Sequence, residues 1–155
     1  MNRWHASNSQ LNILLLAVNV RAMGGYTVTA GKPFLPEVEF KGKWYPICTR
    51  YFAGNNIGIE AVCKALGFTA GTKHSEGWVL KTVSMPVGKC DEGDTLDQCK
   101  YRKSRQWGNL DCSFCHCKAG DTVGVKMACT GALSPGSCCA YEQSQLSTLK
   151  LVVRF

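Results

Sequence analysis

Residues 112–117, CSFCHC, place three cysteines and one histidine within six positions. Thiolates and an imidazole at that density serve three chemistries: tetrahedral zinc ligation, thiol redox catalysis, or oxidised crosslinking. A zinc site draws its ligands from compact clusters that close on one ion. Here Cys48, Cys63, Cys90, Cys99 and Cys129 stand apart along the chain, and His5, His74 and His116 do not recur at finger-like spacing. A zinc-binding cysteine-rich protein is therefore kept as an alternative. A thiol oxidoreductase presents its Cys-x-x-Cys at the start of a helix, whereas CSFCHCKAGD leads into no helical period. His116, between Cys115 and Cys117, belongs to the single thiol and imidazole cluster of the chain. Once those cysteines are oxidised the nucleophile is gone, so the expected class is non-enzymatic.

Composition supports oxidation. A chain of 155 residues with 45% hydrophobic content holds one globular core and is too short for two comfortable domains. Ten cysteines, an even number, with 16 glycines and five prolines describe a turn-rich module stapled by disulfides, as secreted domains are. The expected location is extracellular or at the cell surface. The N-terminal stretch has Arg3 and His5, an apolar run from Ile13 to Val18 and a Val20-x-Ala22 pair, which is the pattern of a signal peptide. A buried strand is the alternative reading, so residues 1–19 are assigned as a signal peptide or an upstream segment. Nothing later reaches transmembrane length, and a membrane tether would come from a longer parent chain.

The elements that must position these residues follow from periodicity. PEVEFKGKWYPICT alternates Val38 and Phe40 with charged neighbours, turns at Gly42 and resumes at Trp44, a hairpin whose second strand is an edge or irregular at Pro46. Ile59, Val62, Cys63 and Leu66 fall at i, i+3, i+4 and i+7, with Asn56 as N-cap and Gly67 as stop. That is one helix with Cys63 on its buried face. WVLKTVSM is the expected strand between Phe68 and Lys89, ended by Pro86, and VGVKMAC is the last strand before Cys129. Residues 131–155 form a C-terminal extension or the start of a further domain, with a strand pattern in TLKLVVRF.

In order along the chain, six motifs resemble those of a scavenger receptor cysteine-rich domain: Val20-Arg21-Ala22-Met23-Gly24-Gly25; Val38-Glu39 followed by Gly42-Lys43-Trp44-Tyr45-Pro46-Ile47-Cys48; Glu60 to Phe68; Cys90 to Cys99; Trp107-Gly108 with Cys112; and Asp121 to Cys129. The resemblance spans about residues 20–130. It implies an α+β fold in which a curved antiparallel β-sheet cradles one α-helix. In the family's three-bridge layout it implies Cys48 with Cys112, Cys63 with Cys129, and Cys90 with Cys99, although counting back from Gly124-Val125 favours Cys117 as the partner of Cys48. The remaining Cys115 and Cys117 are expected to reach Cys138 and Cys139, stapling the C-terminal extension onto the domain.

Family members are chiefly binding and adhesion modules, some of which hold a calcium ion between clustered carboxylates. Here Thr49-Arg50 stands where the acidic pair is usual, leaving Asp94, with Asp91 nearby, as candidate ligands for a hard cation. No motif requires a cofactor. Net charge is +7, and Lys100, Arg102, Lys103 and Arg105 fall within six residues of a loop between two cysteines, with Arg50 as a further cation. A tethered basic loop docks polyanions such as sulfated glycans, anionic lipid or bacterial surface polymers; no nucleic-acid motif accompanies the charge. The expected function is a scavenger-receptor-type ligand-binding or adhesion module for polyanionic or protein ligands. Its rival is a structural adhesion segment of a larger multidomain protein.

Overall fold

The computed structural model describes residues 18–132. Calls on both ends, namely the leader before residue 18, the extension beyond residue 132, and Cys138 and Cys139, lie outside these residues. In chain order come β1 (Val20–Ala22), β2 (Pro36–Phe40), β3 (Lys43–Cys48), a short 3-10 turn at Phe52–Gly54, α1 (Ile57–Ala65), β4 (Phe68–Trp78), β5 (Met85–Pro86), β6 (Lys100–Tyr101), β7 (Ser104–Arg105) and β8 (Gly124–Ala132). The architecture is a small disulfide-rich α+β fold with one short helix.

β2 and β3 form the expected hairpin, because Lys41 and Gly42 both take positive φ (49° and 75°) and so supply the twist that a tight antiparallel turn needs. Pro46 pairs with Glu37 on β2, and the other side of β3 is engaged only from Ile47 onward, by β5 and then β8. The missing proline amide therefore breaks no ladder bond there. The sheet runs β1-β2-β3-β8-β4, with β5 alongside β3 and β6-β7 a separate two-stranded hairpin. Every pairing is antiparallel except β3 with β5.

α1 begins where expected, but its first free amide is satisfied differently. Asn56 makes no side-chain cap; Asn55 Oδ1 accepts from the Ile57 amide at 3.2 Å, while Asn55 Nδ2 donates to the Cys90 carbonyl. Asn55 thus fixes both the helix start and the acidic loop behind it. The helix ends at Ala65, with Gly67 at φ 86° beyond it. Its buried face, Ile59, Val62 and Cys63, packs on β4 and β8. The approach is close because of Gly71 on β4, where a β-carbon would collide with Cys63 Sγ.

The strand expected in WVLKTVSM is displaced toward the N-terminus. β4 covers Phe68–Trp78 and pairs along its length with β8, although only Phe68 and Gly71 are buried in it. A strand that is exposed over most of its length carries little apolar alternation, which is why the sequence conceals it. Residues 79–84 make no ladder. Their backbone bonds go instead to the 117–121 loop: Leu80 N–H donates to Asp121 O, Gly120 N–H to Leu80 O, and Ser84 N–H to Cys117 O. The apolar signal of that stretch is Leu80, buried in loop packing.

The main core joins Val38, Ile47, Phe52, Ile59, Val62, Met85, Val125 and Met127, all fully buried. A second, smaller cluster is made of Cys48, Cys112, Cys115 and Cys117, with Val123 packed against it.

Candidate functional site

Among the described residues four disulfides form: Cys63–Cys129, Cys90–Cys99, Cys48–Cys117 and Cys112–Cys115. The first two are those that the resemblance implies. The other two depart from the three-bridge layout, and Cys48–Cys117 is the pairing that counting back from Gly124-Val125 favours. Cys48 pairs with Cys117 rather than Cys112, because the Cys117 segment is drawn beneath β3 by the bonds from Ser84, whose amide and hydroxyl both donate to the Cys117 carbonyl. Cys112 is then free to close a local ring with Cys115. Neither Cys115 nor Cys117 is left over to reach Cys138 or Cys139. All eight described cysteines are bonded, so the density at CSFCHC is crosslinking chemistry, with no thiol for catalysis or metal among the described residues. Disulfides in this number fit an oxidising environment.

The Cys48–Cys117 bridge holds the chain that leaves β3, and there Tyr51 takes a left-handed backbone (φ 63°). The hairpin β6-β7 follows Cys99 directly, and its turn places Arg102 at φ 56°. These two turns bring Tyr51 and Tyr101 face to face, ring centroids 3.9 Å apart and planes within 16°. Their hydroxyls share a hydrogen bond of 2.9 Å. Arg50 Cζ lies 5.3 Å from the Tyr51 ring centroid and Arg102 Cζ lies 5.2 Å from that of Tyr101. Each guanidinium meets the electron-rich face of its ring, so each ring helps to hold its cation. The hydrogen bond with Tyr101 lowers the Tyr51 phenol below its ordinary value; desolvation opposes it, and the Arg50 hydrogen bond with the charges of Arg50 and Arg102 adds to the lowering.

Two clefts, both lined by Tyr101 and Arg102, open beside this pair. One, of about 560 Å³, is lined by Tyr51, Lys89, Asp91, Lys100, Tyr101 and Arg102 among others. The second, of about 520 Å³, takes Arg50, Tyr101, Arg102, Ser104, Phe114 and His116. Of the five predicted cations, Arg50, Lys100 and Arg102 line the clefts. Lys103 and Arg105 are exposed on the hairpin outside them. None of the five joins an ion pair among the described residues, where the pairs are Arg21–Glu37, Lys64–Glu60 and Lys73–Glu76.

The acidic loop is built differently from a cation cage. Asp94 Oδ2 accepts the Asp91 amide at 3.0 Å, and Thr95 Oγ1 donates to Asp97 Oδ1 at 2.6 Å, so these carboxylates close their own turn. Asp91 sits on the rim of the first cleft. No group of three or more histidine, cysteine, aspartate or glutamate side chains arranged to hold a metal occurs among the described residues.

Charge counting alone misses Tyr51, Tyr101, Lys89 and Phe114. A signal for the first two is present in the chain, since Arg50-Tyr51 and Tyr101-Arg102 are mirror-image dipeptides. Among the described residues no helix is long and apolar enough to cross a membrane. No family model, curated protein or solved structure matches the chain.

Proposed function

We propose that this protein is a non-enzymatic extracellular ligand-binding module of the scavenger receptor cysteine-rich type, and that it holds polyanions at the Arg50–Tyr51–Tyr101–Arg102 stack. That stack is the observation that carries the proposal: two guanidinium groups, free of carboxylate partners among the described residues, are held apart by a pair of stacked rings. Guanidinium groups bind sulfate, phosphate and carboxylate through paired N–H donors, and holding them in place before binding lowers the entropy lost on association. Lys89 and Lys100 extend the positive surface along the first cleft. The family assignment is supported by the Cys63–Cys129 and Cys90–Cys99 bridges and by a helix packed on β4 and β8 of a mostly antiparallel sheet. Secretion or display at a cell surface accords with the disulfides.

The test is retention on immobilised heparin under a salt gradient. Charge reversal of Arg50, Lys100, Arg102, Lys103 and Arg105 together should abolish retention, with Arg50 and Arg102 contributing most. Retention unchanged by the reversal rules out the basic site and favours a structural adhesion segment that binds nothing itself.

A further inference from the structure

The CSFCHC stretch has a consequence beyond crosslinking. Its two bridges, one local and one to Cys48, pin residues 112–117 against the main body, with Cys112, Cys115 and Cys117 buried. Phe114, between them, is not buried with them: the residue is 56% exposed and lines the second cleft with Arg50, Arg102 and His116. A large apolar ring held in water by a closed loop has already lost much of the freedom that binding would otherwise remove.

We propose that this loop adds a ring-binding subsite to the polyanion site, so that the ligand is an acidic polysaccharide rather than a featureless polyanion. A pyranose ring lies with its C–H face on Phe114, and its sulfate or carboxylate substituents meet Arg50 and Arg102. The proposal rests on the polyanion function above and names its ligand class. Three observations carry it. Carbon-bound hydrogens on one face of a sugar are slightly positive and suit the negative face of an aromatic ring. The cleft, about 520 Å³, is within the usual range of small-molecule sites, roughly 300–1,000 Å³. Ser104 lines the same cleft and supplies a hydroxyl that can hydrogen-bond a sugar hydroxyl. A single-stranded nucleic acid fits less well, because successive bases need a run of open aromatic faces. The outer faces of Tyr51 and Tyr101 are already occupied by Arg50 and Arg102.

Calorimetric titration of the intact protein with three probes tests the subsite: a heparin-derived oligosaccharide of defined length, inorganic polyphosphate, and oligothymidylate. Phe114→Ala should weaken the oligosaccharide roughly three- to tenfold and leave polyphosphate unchanged. Disulfide mapping of the variant should return the same four bridges. Equal weakening of all three probes, no weakening of any, or a loss confined to oligothymidylate overturns the subsite. The polyanion function fails separately, if Arg50→Glu with Arg102→Glu leaves oligosaccharide and polyphosphate binding intact.

Discussion

Tyr51 and Tyr101, fifty positions apart in the chain, stack with ring centroids 3.9 Å apart and hydroxyls 2.9 Å apart. The contact joins the turn after β3 to the β6-β7 hairpin, and it sets the positions of two guanidinium groups that the chain alone would leave mobile.

Removing one ring should therefore act on both cations. Tyr101→Ala is expected to weaken polyanion binding about two- to fivefold, the scale of an exposed cation–ring contact. Tyr101→Phe keeps the stack and should retain most affinity. Binding isotherms at low and physiological salt check both variants, and the difference should shrink as salt rises, since exposed charges are screened within about 8 Å at physiological ionic strength.

Tyr51 should ionise below the ordinary tyrosine value as pH rises, because the hydrogen bond with Tyr101, together with Arg50 and Arg102, outweighs the desolvation that opposes its phenolate. The sign follows from linkage. An acid whose folded pKa is lowered stabilises the fold fully above its unfolded value, about 10, and that contribution is lost as pH falls through the lowered folded value. Over the same alkaline window the new negative charge opposes an anionic ligand, so affinity should fall. Ultraviolet titration of phenolate absorbance, repeated with Tyr101→Phe, which removes the largest cause, should show the Tyr51 transition moving up.

The bridges should differ in their effect on stability. Replacing both Cys63 and Cys129 by alanine removes a crosslink with sequence separation 66, and loop entropy predicts a loss of about 4 kcal/mol. Replacing Cys112 and Cys115, separated by 3, should lose only about 2 kcal/mol. Denaturant unfolding monitored by tryptophan fluorescence measures both, and equal losses would mean that the long bridge does not constrain the unfolded chain as proposed.

Gly71 should tolerate no side chain. Its β-carbon position is occupied by Cys63 Sγ, with the Ile59 carbonyl 3.2 Å away, so Gly71→Ala should destabilise by about 1–3 kcal/mol as an overpacked contact. Gly54→Ala meets nothing within 4 Å and serves as the control. Thermal unfolding of the two variants gives the comparison.

The parts of the fold that alternate cleanly are visible in the chain. The β2-β3 hairpin announces itself through Val38, Phe40 and Trp44, and α1 through Ile59, Val62, Cys63 and Leu66. β4 does not, because its stabilisation comes from pairing with β8 rather than from an apolar face. The partner of Cys48 was legible only as two alternatives, Cys112 by the Trp107-Gly108 spacing and Cys117 by counting back from Gly124-Val125; the fold takes Cys117, whose carbonyl accepts both the amide and the hydroxyl of Ser84. For the site, charge density located Lys100, Arg102 and Arg50. The tyrosine stack required two left-handed turns, at Tyr51 and Arg102, that non-glycine residues adopt only when the surrounding structure holds them there.

The crowding of Cys48, Cys112, Cys115 and Cys117 in one buried cluster bears on how the protein is made. Four neighbouring sulfurs can be joined in three ways, and any two joined first leave the others within reach of exchange. Local proximity favours early closure among Cys112, Cys115 and Cys117, whereas the native partner of Cys117 is 69 residues away. Correct pairing therefore waits on assembly of β3 against β5 and β8, which delivers Cys48 to the cluster. An environment in which sulfur bonds can be broken and remade, as well as formed, would favour the native pairing of this cluster.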